Sequence, residues 1–187
     1  MPNDPVTGEQ RSRPTVYVMV GLPASGKTTR ARQLETDCRA LRLTPDEWMI
    51  PLFAQAEAGG KRDVLEGRLV WLAIRILQVG VDVIVDFGVW SKDERSALRH
   101  LAAQAGADCK LVYLAVQEAE QRRRVEARFA ADPQSTFQIH PGDLALNREQ
   151  FQAPDHDELT SHAVDPPPAG YPTWTSWASL RWPTSTS

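Results

Sequence analysis

A doubly wound α/β fold, a parallel sheet with helices on both faces, is the architecture this sequence predicts, and three observations carry it. The run Thr15-Val16-Tyr17-Val18-Met19-Val20 is β-branched and apolar, in the manner of a strand buried on both faces. Directly after it, Gly21-Leu22-Pro23-Ala24-Ser25-Gly26-Lys27-Thr28 is a complete G-x-x-x-x-G-K-[ST] loop, and the residues that follow continue as helix. Further along, apolar runs of strand length alternate with segments of helical periodicity, which is the pattern of a parallel sheet with right-handed crossovers.

Taken in order, residues 1–14 form a polar tail, and the first strand, the loop and a helix to about Asp37 follow. Ala40 to Thr44 reads as a short second strand, and a helix carrying Trp48, Leu52 and Phe53 starts at Pro45 and is broken by Gly59-Gly60. From Lys61 to Gln78 the apolar positions Val64, Leu65, Leu69, Leu72, Ile76 and Val79 recur at helical spacing, and Gly80 ends that helix. Val81 to Asp86 is the next buried strand, Lys92 to Gln104 a helix opened by the capping box Ser91-Lys92-Asp93-Glu94, and Cys109 to Val116 a further strand. Residues 117–131 form an Arg-rich helix. The expected organisation is a polar tail over 1–14, one domain over 15–165 with a helical lid at about 117–150, and a Pro/Ser/Thr/Trp-rich tail over 166–187. Its composition makes that end a poorly ordered tail, with docking of Trp174, Trp177 and Trp182 as the alternative.

With 187 residues, 42% of them hydrophobic, the chain buries a real core in one domain. A net charge of -3 argues against a nucleic-acid-binding protein held by a broad basic field. Cys38 and Cys109 stand apart without a C-x-x-C pattern, and His100, His140, His156 and His162 have no metal-ligand spacing, so they read as surface or loop histidines. The polar start and the lack of a membrane-length apolar run lead to the expectation of a soluble, cytoplasmic protein with no membrane partner.

The loop says what is held. Gly21 and Gly26 let consecutive N–H groups converge on phosphate oxygens at the positive end of the following helix, so Gly21, Ala24, Ser25, Gly26, Lys27, Thr28 and Thr29 form the nucleotide-binding set. Lys27 is expected to bridge the β- and γ-phosphates, and the Thr28 hydroxyl to be a ligand of Mg²⁺. Ligands of such sheets bind at the carboxyl ends of the strands, which puts Asp46, Asp86 and Trp90 on the rim that carries the loop. Asp46 there is suited to accept a hydroxyl proton, although Thr44-Pro45-Asp46-Glu47 reads equally as a capping box. Asp86 ends its strand as a carboxylate suited to Mg²⁺ or to the Thr28 hydroxyl. In the Arg-rich helix, Glu118 pairs with Arg122 and Glu120 with Arg124 at i,i+4 spacing, while Arg124 and Arg128 place two cations on one face, an arrangement that an anion relieves.

Together the loop from Gly21 to Thr29, the Thr44-to-Glu47 segment, Val83-Ile84-Val85-Asp86-Phe87-Gly88 and the Arg124/Arg128 pair resemble the small P-loop kinases of the zeta-toxin, chloramphenicol-phosphotransferase and polynucleotide-kinase group. Bacterial proteins called ATP-binding or AAA-family ATPase share this layout, and the likeness covers about residues 15–160, including Phe151-Gln152-Ala153-Pro154-Asp155. The resemblance implies a P-loop NTPase (kinase-like) fold with an Arg-bearing helical lid, ATP and Mg²⁺ as cofactors, and Asp46 as general base on an acceptor hydroxyl. It also implies that Arg124 and Arg128 bind the γ-phosphate and flank the adenine. In these relatives an arginine commonly follows the aspartate by three positions and binds the acceptor, whereas here that position is Met49. Its absence points away from a phosphorylated or polynucleotide acceptor.

The expected catalytic set is therefore Lys27, Asp46, Arg124 and Arg128, acting on ATP and a small hydroxyl-bearing substrate such as an antibiotic, a nucleoside or a sugar. Trp48, Phe53 and Trp90 flank the expected acceptor side, where they read equally as core residues. Two other classes stay in play: a polynucleotide 5′-hydroxyl kinase-like enzyme, against which residues 44–60 offer no lysine or arginine, and a regulatory nucleotide-binding module with no need of a base. The lack of an N-K-x-D motif speaks against a GTPase. Oligomeric state is not legible.

Overall fold

The computed structural model describes residues 13–55, 58–131, 141–161 and 163–185. Its frame is a four-stranded sheet, β1 (Thr15–Val20), β2 (Leu41–Leu43), β3 (Val83–Val85) and β4 (Asp108–Tyr113), in the order β2-β3-β1-β4 with every pair parallel. Around it lie α1 (Lys27–Cys38), α2 (Asp46–Phe53), α3 (Lys61–Gln78), α4 (Lys92–Gln104), α5 (Glu118–Ala131), α6 (Pro141–Gln150), α7 (His156–Thr160) and α8 (Trp174–Arg181).

Alternation along the strands divides the core in two. Val16, Val18 and Val20 of β1, with Val83 and Val85 of β3, face Leu69, Val70, Ala73 and Leu77 of α3 and Ala97, Leu98 and Leu101 of α4. Met19 and Ile84 point the other way and pack with Ala31 and Leu34 of α1. The doubly wound arrangement follows from that alternation: each face of the sheet is apolar and each is covered by helix.

The boundaries of α3 and α4 fall where the periodicity puts them, but β3 is shorter than the apolar run from Val81 predicts. At its start the Asp82 carboxylate accepts the Thr15 N–H at 2.8 Å and the Asp82 carbonyl the Leu41 N–H at 2.9 Å, tying the entry to β3 to both neighbouring strands. β4 likewise stops at Tyr113 and not at Val116.

Two local expectations are corrected. No side chain caps α2: Pro45 stands at the N-cap in helical conformation, and Glu47 pairs with Arg42 instead of reaching back. The box at α4 does form, with the Ser91 hydroxyl accepting the Glu94 N–H and the Glu94 carboxylate accepting the N–H groups of Trp90 and Ser91. His100 is half-buried within α4, not on a loop, and His156 is exposed at the start of α7, while His140 and His162 lie outside the described residues. So do residues 1–12 of the polar tail and 132–140 of the lid.

The chain's end takes the docked alternative. Trp174 and Trp182 are buried in the main core, Trp177 meets each of them edge to face at ring distances of 5.7 and 6.0 Å, and α8 packs on α4 and α3. Gly67 of α3 makes this contact close enough to work: a Cβ there would stand 1.8 Å from the Pro183 carbonyl oxygen. Another tie is Arg95 of α4, fully buried, whose guanidinium holds both carboxylate oxygens of Glu158 at 2.8 and 2.9 Å and the carbonyls of Trp90 and Gln152. It anchors α7 and the segment before it to the rim of the sheet.

Candidate active site

The carboxyl ends of the strands open on one cleft of about 770 Å³. The loop after β1 forms its floor, and backbone geometry explains the loop's residue types. Gly21 has φ +155°, and a Cβ on it would come within 2.6 Å of both the Leu114 carbonyl oxygen and the Ser25 hydroxyl. Gly26 has φ +101° at the start of α1, and Ala24 also takes a left-handed conformation, at φ 60°, a strain of the kind that concentrates at binding loops. Ser25 keeps a buried hydroxyl with no hydrogen-bond partner inside the loop.

Lys27 opens α1 and its ammonium donates to the carbonyls of Gly21 and Leu22 at 2.8 and 2.9 Å. Burial pushes its pKa down to about 8; Asp86 and Asp46 oppose the shift and Arg128 adds to it. Behind it Asp86, just past β3, is buried against Arg42, whose Nη1 lies 3.1 Å away. Burial raises the Asp86 carboxyl, held back by Arg42, by Lys27 and by a hydrogen bond from the Thr28 hydroxyl. Thr28 and Asp86 thus offer a hydroxyl and a carboxylate side by side, hard oxygen donors of the type Mg²⁺ takes. Sequence reasoning missed Arg42, which gathers Glu35, Glu47 and Asp86 from three elements.

The roof is α5. Gln121, fully buried, donates to the Pro23 carbonyl at 3.0 Å, and Arg124 reaches the Ala24 carbonyl at 3.3 Å while its Nε holds Glu120. Arg124, Arg128 and Asn147 of α6 all line the cleft. The i,i+4 pairs Glu118–Arg122 and Glu120–Arg124 form as their spacing predicts.

Asp46, with its side chain 67% exposed, faces the same cleft from the first turn of α2. Its partner is Arg62 of α3, two of whose nitrogens approach Oδ1 at 3.0 Å. The position three residues after Asp46, where the resemblance looks for a cation, is the fully buried Met49, and a guanidinium arrives from the next helix instead. Arg62 continues to Glu66, Glu66 lies 3.6 Å from Arg181 of α8, and Arg181 holds Asp63 at 2.9 Å and Glu94 at 2.6 Å. Of the aromatic residues expected on this side only Trp90 lines the cleft; Trp48 is half-exposed elsewhere on α2, and the Phe53 ring lies under the Lys61 ammonium at 4.8 Å.

A parallel β2-β3-β1-β4 sheet, with a phosphate loop after its inner strand β1 and arginines overhead on a helical lid, is a P-loop kinase fold. The chain belongs to the AAA domain family, whose model matches residues 16–154. Among solved structures it is similar to a candidate kinase from Chloroflexus aurantiacus, at 22% identity and a TM-score of 0.62 over 87% of this chain and 86% of that one. It is also similar to a chain of the Pnkp1/Rnl/Hen1 RNA repair complex (19% identity, TM-score 0.59, 80% of this chain), of which it spans 50%. A third similar structure is the APS kinase CysC of Mycobacterium tuberculosis in complex with AMPPNP and APS, at 22% identity and a TM-score of 0.57 over 77% and 85% of the two chains. No curated protein sequence matches the chain. Among the described residues no helix is long and apolar enough to cross a membrane.

Proposed function

We propose that the protein is an ATP- and Mg²⁺-dependent phosphotransferase that moves the γ-phosphate to a hydroxyl of a small molecule, with Asp46 as general base. The observation that carries this reading is one cleft lined by both the phosphate loop and Asp46, with arginines over the loop. The nucleotide-bound APS kinase similar to this chain supports ATP as the donor. The loop amides and the Lys27 ammonium hold the phosphate chain. Arg124 and Arg128 cover its far end, which stabilises the charge that builds as the phosphoryl group leaves. Thr28 and Asp86 would hold Mg²⁺, directly or through water, and the ion would supply charge neutralisation to the phosphates. Asp46 orients the acceptor hydroxyl in line and takes its proton, and Arg62 fixes the carboxylate that does so. The described part of the lid, α5 and α6, excludes water from that proton transfer when both substrates are present.

A screen with γ-labelled ATP over hydroxyl-bearing antibiotics, nucleosides, sugars and 5′-hydroxyl oligonucleotides tests the proposal, the expected result being label on a small molecule. Asp46→Asn is expected to lower transfer by a factor on the order of 10² or more with ATP binding unchanged. Transfer undiminished in that variant would remove Asp46 as the base. Label on oligonucleotides alone would favour the end-kinase reading, and ATP binding with no labelled product would favour the regulatory one.

A further inference from the structure

The half of the cleft away from the phosphate loop is lined by Asp46, Arg62, Asp63, Glu66, Trp90 and Arg181. Its charges do not balance. Glu94 of α4, buried behind the cleft, shares Arg181, so four carboxylates stand against two guanidiniums among these described residues. Both guanidiniums are already engaged, Arg62 by Asp46 and Glu66 and Arg181 by Asp63 and Glu94.

Glu66 is the telling group. Its side chain is 5% exposed, and its Oε2 is buried and accepts no hydrogen bond, with Arg181 at 3.6 Å too distant to give one. An anionic acceptor would compete for Arg62 and Arg181 with the buried carboxylates of Glu66 and Glu94, leaving their charge uncompensated inside the protein. An ammonium group does the reverse: it adds the missing positive charge and the missing donors.

We propose that this half of the cleft takes a hydroxyl compound that carries an ammonium group, received by the carboxylates of Glu66 and Asp63. The inference rests on the phosphotransferase reading for one clause only, that the occupant offers a hydroxyl. Arg181 lies beyond the residues 16–154 that define the family match, so the selectivity is set partly by the chain's own C-terminal helix. Burial pushes the Glu66 carboxyl up to about 7, opposed by Arg62 and Arg181 and reinforced by Asp63 and Glu94, with Asp46 across Arg62 the further charged group among the described residues. A cation beside Glu66 binds its ionised form, so affinity rises with pH as the free carboxyl gives up its proton.

The test uses the full chain saturated with AMPPNP and Mg²⁺, titrated calorimetrically with three matched six-carbon probes: glucamine, sorbitol and gluconate. The expected order is glucamine tighter than sorbitol by at least about tenfold and gluconate weakest, with the glucamine affinity rising about tenfold from pH 6 to 8. Glu66→Gln removes the pH dependence and most of the preference. Asp63→Asn, at a half-exposed side chain, weakens the preference as well and serves if the buried change does not fold. Gluconate binding as tightly as glucamine, three equal affinities, or no measurable glucamine binding would overturn the proposal. The two readings fail separately: glucamine preference without phosphoryl transfer to any compound sinks the kinase, and transfer to an anionic acceptor sinks only the ammonium site.

Discussion

Gly67→Ala sets two effects of known size against each other. In mid-helix an alanine for a glycine stabilises by about 1 kcal/mol when nothing else changes. Here the new Cβ would lie 1.8 Å from the Pro183 carbonyl oxygen and 2.8 Å from its carbon, both backbone atoms that no rotamer change can remove. The chain at residues 182–183 must therefore lift from α3 by roughly 1.5 Å to regain van der Waals contact. Trp182 is fully buried immediately before that point, and removing a buried tryptophan side chain costs about 3–5 kcal/mol. Less the helix-propensity gain, complete undocking would cost about 2–4 kcal/mol, the upper bound on the net loss. Urea denaturation reads this as a lower midpoint, and tryptophan emission should shift to the red as the Trp174–Trp177–Trp182 contacts loosen. Gly142→Ala in α6, where a Cβ meets nothing within 4 Å, is the control and should be neutral or slightly stabilising. A Gly67→Ala protein as stable as the parent, with unchanged emission, would refute the docking of the C-terminal segment.

Lys27 gives ATP binding a pH dependence of known sign. The free ammonium titrates near 8 and the phosphates of bound ATP raise it, so affinity should fall by about tenfold per pH unit above 8, read by calorimetry; a flat profile to pH 9.5 contradicts this. Glu158→Gln breaks the buried pair with Arg95 and should cost about 3–5 kcal/mol in denaturant unfolding, because the guanidinium stays behind uncompensated. Glu66 makes the opposite kind of contribution. Its folded pKa of about 7 against 4.5 unfolded is worth about 3 kcal/mol below pH 4.5, lost as pH rises through 7, so the stability difference between parent and Glu66→Gln should drift by that amount across this window.

What could be read in advance was whatever depends on neighbours in sequence. The loop, the period of α3 and α4 and the Ser91–Glu94 box are local patterns, and each lies where its spacing puts it. The Thr44–Glu47 segment has the same local signature but no box, because Arg42 arrives from β2 and takes the glutamate. Arg62 left no trace near Asp46, being sixteen residues away, and Arg181 meets Asp63 across 118 residues. Such pairs are decided by how helices pack. For α8 there was a signal to weigh differently: Trp174, Trp177 and Ala178 recur at helical spacing after the Thr173 cap, a stronger pattern than the prolines and serines around it suggest.

Met49 and Arg62 carry a consequence for how the chain tolerates change. Met49 is sealed inside while Arg62 reaches the cleft, so the two positions are not interchangeable. Installing an arginine at 49 in a protein that has lost Arg62 would bury a charge rather than rebuild a contact. With the cation delivered from α3 and Met49 filling the interior, the arrangement that the resemblance implies would require repacking α2 first.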